Sequence, residues 1–147
     1  MPHLIDGDNL LGTWPGRKRS DAEKRELARE IGRLAPRRQR RIVIVFDGTE
    51  PPGVPLGADV LFSGAGRTAD QTILALLRRE TDPKGWTVVT NDRSLGDQSR
   101  WVGARVEPAH AFRSRLEKSV GAEKPEGAAD VDYWLEQFGG NESPSGE

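Results

Sequence analysis

Apolar residues along this chain fall into two patterns, short unbroken runs and longer stretches at helical spacing. HLID at 3–6 reads as a short buried strand that runs straight into turn-forming residues. RIVIVFD at 41–47 is β-branched and polar only at its ends, the pattern of a central parallel strand buried on both faces. ADVLFS at 58–63 and WTVVTND at 86–92 read as further strands, and ARVE at 104–107 as a last one. Between them the spacing predicts helices. Ser20 with Glu23 makes a capping-box pair, after which Ala22, Leu27, Ile31 and Leu34 recur on one face up to Pro36. Thr68 with Gln71 repeats the signal ahead of Ile73, Leu74, Leu76 and Leu77, a helix expected to run to about Arg79. A short helix is expected through Trp101, and Pro108 opens another over 109–118.

Strands alternating with helices imply an α/β domain with a mostly parallel sheet, because parallel neighbours need crossover connections. LLGTWPGRKR at 10–19 and GTEPPGVPLG at 48–57 read as loop and turn. The expected organisation is one domain over 1–118, a Gly, Ala, Glu, Lys and Pro linker over 119–129, and a short acidic helix at 130–138. Val131, Trp134, Leu135 and Phe138 anchor that helix, and the tail at 139–147 is expected to be disordered. There is no internal repeat.

Composition narrows the chemistry. A chain of 147 residues can enclose a core without staples, and it has no cysteine and two histidines. Disulfides, thiolate ligands and a cysteine nucleophile are excluded, a zinc cage has little to draw on, and any metal must be held mainly by oxygen. No apolar run approaches the roughly 18 residues of a membrane span and no signal peptide opens the chain, so a cytoplasmic protein without membrane contact is expected. The net charge of -1 is unevenly spread. Residues 17–41 hold eleven Lys or Arg against four acids, a net of +7, whereas 117–147 hold eight acids against two lysines, a net of -6. Mixed-charge runs commonly form solvated faces. The bunching of Arg37, Arg38, Arg40 and Arg41, with Arg17, Lys18 and Arg19 upstream, also suits a phosphate-rich partner.

Three apolar strands finish in carboxylates: HLID at Asp6, RIVIVFD at Asp47 and WTVVTND at Asp92. In an open parallel sheet the carboxyl ends of the strands share one edge, where ligands bind. Asp70 opens the second long helix, where the helix dipole favours its charge and the side chain can point to the same edge. Asp8, Asp97 and Thr68 are near enough in sequence to join them. Each acid alone has a plain structural role, as Asp-Gly turn, helix-start charge or cap. Together they would repel unless paired, protonated or bound to a cation. Mg²⁺ or Mn²⁺ takes oxygen ligands, polarises a phosphoryl oxygen and activates water, which is the chemistry of metal-assisted phosphodiester hydrolysis.

Other motifs carry less. GAGRTAD at 64–70 lacks the remaining dinucleotide-binding glycine, and there is no phosphate-loop motif. Ser63, Ser94 and Ser99 have no histidine base nearby in sequence, while His3 and His110 read as structural or surface residues. Trp14 and Trp101 read equally as core or loop anchors and as platforms for unpaired bases.

LIDGDNLL, IVIVFDG, GRTADQTI and TVVTNDRSL, in this order over residues 3 to about 116, resemble the NYN-domain ribonucleases of the YacP-like type within the PIN-like nuclease group. DVDYWLEQFG looks like the short C-terminal helix of such proteins. The resemblance implies a three-layer α/β/α PIN-like fold and a metal-dependent endoribonuclease. It implies metal ligands at Asp6, Asp70 and Asp92, a further catalytic acid at Asp47, and support from Asn9, Thr68 and Ser94, with Arg67 and Arg93 among the arginines that position RNA. Asp8 stands where such proteins often carry an aromatic residue, which leaves its role open between metal binding, tuning and solvent exposure. Two alternatives compete. One is a non-catalytic RNA-binding or ribosome-associated module, which the intact acids disfavour. The other is a different Mg²⁺-dependent phosphotransferase or phosphatase, against which the absence of a D-x-D-x-[TV] loop counts.

Overall fold

The computed structural model describes residues 2–34, 41–53 and 59–122. Five parallel strands form its centre: β1 (His3–Asp6), β2 (Ile42–Phe46), β3 (Val60–Phe62), β4 (Thr87–Val89) and β5 (Arg105–Glu107). Their order across the sheet is β3-β2-β1-β4-β5, so β1 is central and the winding reverses around it. β1 and β2 are buried along their whole length, which is why IVIVF in β2 reads as a continuous apolar run and not as an alternating one.

Alternation along the strands divides the core in two. Ile5, Ile42, Ile44, Phe46 and Val89 pack with Leu10, Leu27, Ile31 and Phe112, the apolar residues of α1 (Gly7–Leu11), α2 (Asp21–Leu34) and α5 (Ala109–Ala122). Leu4, Val43, Val45 and Val88 pack on the other face with Ile73, Leu77 and Leu95 from α3 (Ala69–Arg79) and α4 (Arg93–Trp101). Helices cover both faces, giving the three-layer α/β/α sandwich expected from the alternating elements.

The caps follow the sequence signals. Ser20 Oγ accepts the Glu23 N–H at 3.2 Å at the start of α2. At α3 the Thr68 hydroxyl accepts the Gln71 N–H at 3.2 Å while Gln71 Oε1 accepts the Thr68 N–H at 3.0 Å, a reciprocal capping box.

Three differences from the sequence reading matter. The chain becomes helical immediately after β1, where turn and loop were expected, because Leu10 and Leu11 are drawn fully into the core. A single 3₁₀ turn, Pro83–Gly85, precedes β4. α5 runs on to Ala122, with Ser119 buried, and so takes the first four residues of the stretch read as linker. The rest of that stretch, the 130–138 helix, its anchors and the 139–147 tail lie outside the described residues. Among the described residues no helix is long and apolar enough to cross a membrane.

Gly7 also means something different from a turn. It has no positive φ, but a Cβ placed there would sit 2.5 Å from Phe46 Cε1 and 3.0 Å from Ile44 Cγ2. Phe46 is fully buried and has nowhere to retreat. Gly7→Ala should therefore destabilise the fold by about 1–3 kcal/mol through overpacking, which a denaturant titration would read; unchanged stability would show that Phe46 can give way.

Candidate active site

The order of the sheet sets the position of the first acid. β1 has β2 on one side and β4 on the other, so its carboxyl end lies where the strand order reverses and a crevice opens. Asp6 occupies that end. It is only 5 % exposed, and the Thr90 hydroxyl donates to its Oδ2 at 3.1 Å. The same Thr90 oxygen accepts the Asp92 N–H at 3.0 Å, tying the first carboxylate to the backbone that leads into α4.

Parity carries the other acids to the same face. Asp6 and Asp47 continue the alternation of Leu4 and Val45, whose side chains face α3 and α4. Asp47 Oδ1 accepts the Ala69 N–H at 2.7 Å at the opening of α3, beside Asp70. Asp92 caps α4, its Oδ1 accepting the Leu95 N–H at 3.1 Å. The loop carrying Asp47 is held by the Ser63 hydroxyl, which accepts the Gly48 N–H at 3.0 Å and donates to the Arg67 carbonyl at 2.9 Å. That commits Ser63 to structure.

The electrostatics record how the acids crowd one another. Asp6 is pushed up to about 7, chiefly by burial; the Thr90 hydrogen bond opposes this, and the charges of Asp70, Asp47 and Asp8 add to it. Asp70 is also raised, by burial and then by Asp92 and Asp47, with its own backbone N–H opposing. Four strand-end and helix-start acids thus share one field.

Asp8 belongs to the opposite layer. Buried in α1, it accepts the Asp47 N–H on Oδ2 at 2.7 Å, while Lys24 Nζ lies 3.7 Å from its Oδ1. Lys24 in turn stands over the rings of Phe46 and Phe62, at 5.4 and 5.9 Å. Asp8 is therefore a strut between α1, α2 and the end of β2. Asn9 braces the fold in a similar way. Its Oδ1 accepts the Asn91 N–H at 2.7 Å, and Asn91 Oδ1 accepts the Ala109 N–H at 2.8 Å at the start of α5. These two amides lock the β4–α4 connection to both neighbouring helices.

The remaining candidates are dispersed. The Thr68 hydroxyl is used as a cap, and Ser94 Oγ accepts from Gln98 Nε2 at 3.2 Å on the exposed face of α4. Asp97 is exposed and pairs with Arg100 at 3.5 Å. Arg17 is held by Glu23 at 2.7 Å and Glu30 at 3.3 Å and lies over the Trp14 ring, so its charge is already answered within the domain. Trp14 itself donates to Glu117 at 2.7 Å and anchors the loop to α5, whereas Trp101 is 88 % exposed. Lys18, Arg19, Arg67 and Arg93 are exposed. Arg37, Arg38 and Arg40 lie outside the described residues; Arg41 begins the approach to β2 at the sheet edge opposite the acids, its guanidinium over Trp86.

Thr90 and Asn91 are the site residues that sequence reasoning missed. Both lie inside the TVVTND run, and the register Ile5 to Val89, which places Thr90 beside Asp6, exists only once β1 and β4 pair.

Among the described residues no three His, Asp or Glu side chains converge closely enough to hold one metal ion together in this arrangement. The donor set nevertheless fits a hard cation. It is all oxygen, and it contains a carboxyl whose ionisation is opposed first by burial and then by its acidic neighbours, an opposition that a positive ion would offset.

The protein is thus a three-layer α/β/α domain with acids gathered at the carboxyl edge of a parallel sheet. A family model described as the YacP-like NYN domain matches residues 3–131, and the chain belongs to that family. Two crystal structures of Rae1 (YacP) from Bacillus subtilis share the fold at 22 % identity. The unsubstituted protein gives a TM-score of 0.63 over 95 % of this chain and 92 % of that one. A tryptophan-to-leucine mutant gives 0.65 over 91 % and 92 %. Comparison with curated protein sequences finds no match.

Proposed function

We propose that this protein is a metal-dependent endoribonuclease, hydrolysing RNA phosphodiester bonds at the acidic edge of the sheet with Mg²⁺ or Mn²⁺. The observation that carries the reading is the Asp6 carboxyl, buried at the reversal of strand order and raised to about 7 by burial and by Asp70, Asp47 and Asp8. A fold does not keep a buried acid among other acids for stability, since the arrangement costs free energy until a cation joins it. Membership of the YacP-like NYN family supports the nuclease class.

Asp6, Asp70 and Asp92 would hold the metal, with Asp47 adjacent. When bound, the ion would polarise a phosphoryl oxygen and lower the pKa of a water nucleophile. The chain's own contribution is placement. Thr90 orients the Asp6 carboxylate, the α3 N-terminus fixes Asp47, and the Asn9–Asn91–Ala109 chain of hydrogen bonds holds the loop bearing Asp92. Lys18, Arg19, Arg67 and Arg93 are exposed cations for phosphate contact.

The test incubates purified protein with mixed single-stranded and structured RNA in Mg²⁺, Mn²⁺ or EDTA, alongside Asp70→Asn and Asp92→Asn. Asn is itself a good N-cap, so Asp92→Asn keeps the α4 cap and removes only charge. Metal-dependent internal cuts by wild type, reduced on the order of 100-fold in both variants, are expected. Equal cleavage by all three would sink the metal mechanism, and RNA binding without cleavage in any metal would replace it with a non-catalytic RNA-binding module.

A further inference from the structure

A cleft of about 690 Å³ opens from Thr90 and Asp92 and continues along the edge strand β5, between α4 and the start of α5. Thr90 and Asp92 form its mouth, Asn91 and Arg93 line it beside the acids, and Asp97, Arg100, Val106, Pro108 and His110 extend it beyond them. Its volume lies within the range of small-ligand sites. Arg93 and Arg100 stand seven residues apart on α4, two turns, and so project from the same side of that helix into the cleft wall. Gly96 between them leaves the wall without a side chain. Val106 and Pro108 supply apolar surface, and His110 closes the opposite side.

The polar atoms left over in this cleft are informative. Asn91 Oδ1 accepts the Ala109 N–H at 2.8 Å, so the carboxamide orientation is set and its Nδ2 remains to donate elsewhere. His110 Nδ1 lies 3.1 Å from the same Oδ1 and must be the donor in that pair, which leaves Nε2 for another partner. Arg100 is opposed by Asp97 at 3.5 Å, but both are exposed and the contact is weak. Arg93 makes no ion pair among the described residues.

We infer that this cleft is a subsite for a nucleotide of single-stranded RNA neighbouring the scissile phosphate, with Arg93 and Arg100 on its phosphates and Asn91, Pro108 and His110 against its base and ribose. The inference rests on the endoribonuclease reading for the meaning of "scissile", but the binding it describes needs no cleavage. Unpaired nucleotides are recognised by such a mixture of cations, flat apolar surface and a few directed hydrogen bonds. The cleft's mouth holds Asp92 and Thr90, and Thr90 is hydrogen-bonded to Asp6, so a strand with a phosphate at these acids runs next to it.

The experiment measures fluorescence anisotropy of a labelled mixed-sequence RNA decamer with the full chain in EDTA, where metal-dependent cutting is suspended, over a series of salt concentrations. The variants are Arg93→Ala with Arg100→Ala, and His110→Ala with His110→Gln as a conservative partner. Arg78→Ala with Arg79→Ala removes equal charge from exposed positions at the far end of α3. The cleft pair should weaken binding by about tenfold or more and flatten the salt dependence by about two counterions, while the α3 pair changes affinity less than about threefold. Under Mn²⁺, His110→Ala should shift the positions of cutting and His110→Gln should partly restore them. Wild-type affinity in the cleft variants, equal losses in the α3 pair, or no RNA binding at all would each overturn the subsite. Cleft-dependent binding without cleavage in any metal leaves the subsite standing as a binding site and overturns the nuclease reading instead. Metal-dependent cleavage with an unaffected cleft pair does the reverse.

Discussion

Replacing Asp6 with Asn should abolish RNA cleavage and at the same time make the metal-free protein more stable at alkaline pH. The two effects have one cause. Burial and the charges of Asp70, Asp47 and Asp8 raise the Asp6 carboxyl from 3.8 to about 7, so the native state binds this proton more tightly than the unfolded chain does. Stability from this group is therefore fully present below about pH 4 and is lost as pH rises through about 7. Asn is neutral and can still accept the Thr90 hydrogen bond, so it avoids the loss. At pH 8 the variant should gain on the order of 2–4 kcal/mol over metal-free wild type, and the difference should fall towards zero near pH 4. Saturating Mg²⁺ or Mn²⁺ should raise the Tm of wild type more than that of Asp6→Asn, because the variant lacks one of the three carboxylates that give the ion preferential affinity for the native state. Thermal melts at pH 4, 6 and 8, each with and without metal, read all of this. A variant that is less stable than wild type at pH 8, or that still cuts RNA, contradicts the role assigned to Asp6.

Asp8→Ala should have the opposite sign and a comparable size. It removes the acceptor for the partly buried Asp47 N–H at 2.7 Å and leaves Lys24, whose side chain is 12 % exposed, without its carboxylate. An orphaned amide and an uncompensated cation near the core together cost about 3 kcal/mol or more, roughly 10 °C in Tm for a domain of this size. Asp8→Asn keeps an acceptor for the amide and should cost less than half as much. Cleavage by Asp8→Ala, measured below its own melting point, should fall because the backbone at Asp47 is no longer held. A Tm equal to that of wild type would show that Asp8 is not the strut its contacts describe.

The acids were legible because their signal is local. An apolar run that ends in Asp marks a strand terminus, and parallel strands that share crossover helices must place such termini along one edge. The cap at Ser20 and the capping box at Thr68 were legible for the same reason, each lying within four residues. Asp8 was not. Its neighbours Asp47 and Lys24 are 39 and 16 positions away, and the side of α1 it occupies depends on how that helix docks. Gly7 looked like half of an Asp-Gly turn, and only the approach of Phe46 reveals a packing requirement. Arg17 looked like one cation of a basic run until α2 brought Glu23 and Glu30 to it.

By itself the sequence determined the alternation of strands and helices, the parallel sheet, the acid at the end of each long apolar strand and the caps of α2 and α3. All of these follow from periodicity and short-range hydrogen bonding. Only the tertiary structure decided which strands are neighbours, and with that the register that sets Thr90 against Asp6, the burial that raises the Asp6 carboxyl, and the cleft beside β5. Those properties depend on distances between residues as much as 84 positions apart, and no local pattern encodes them.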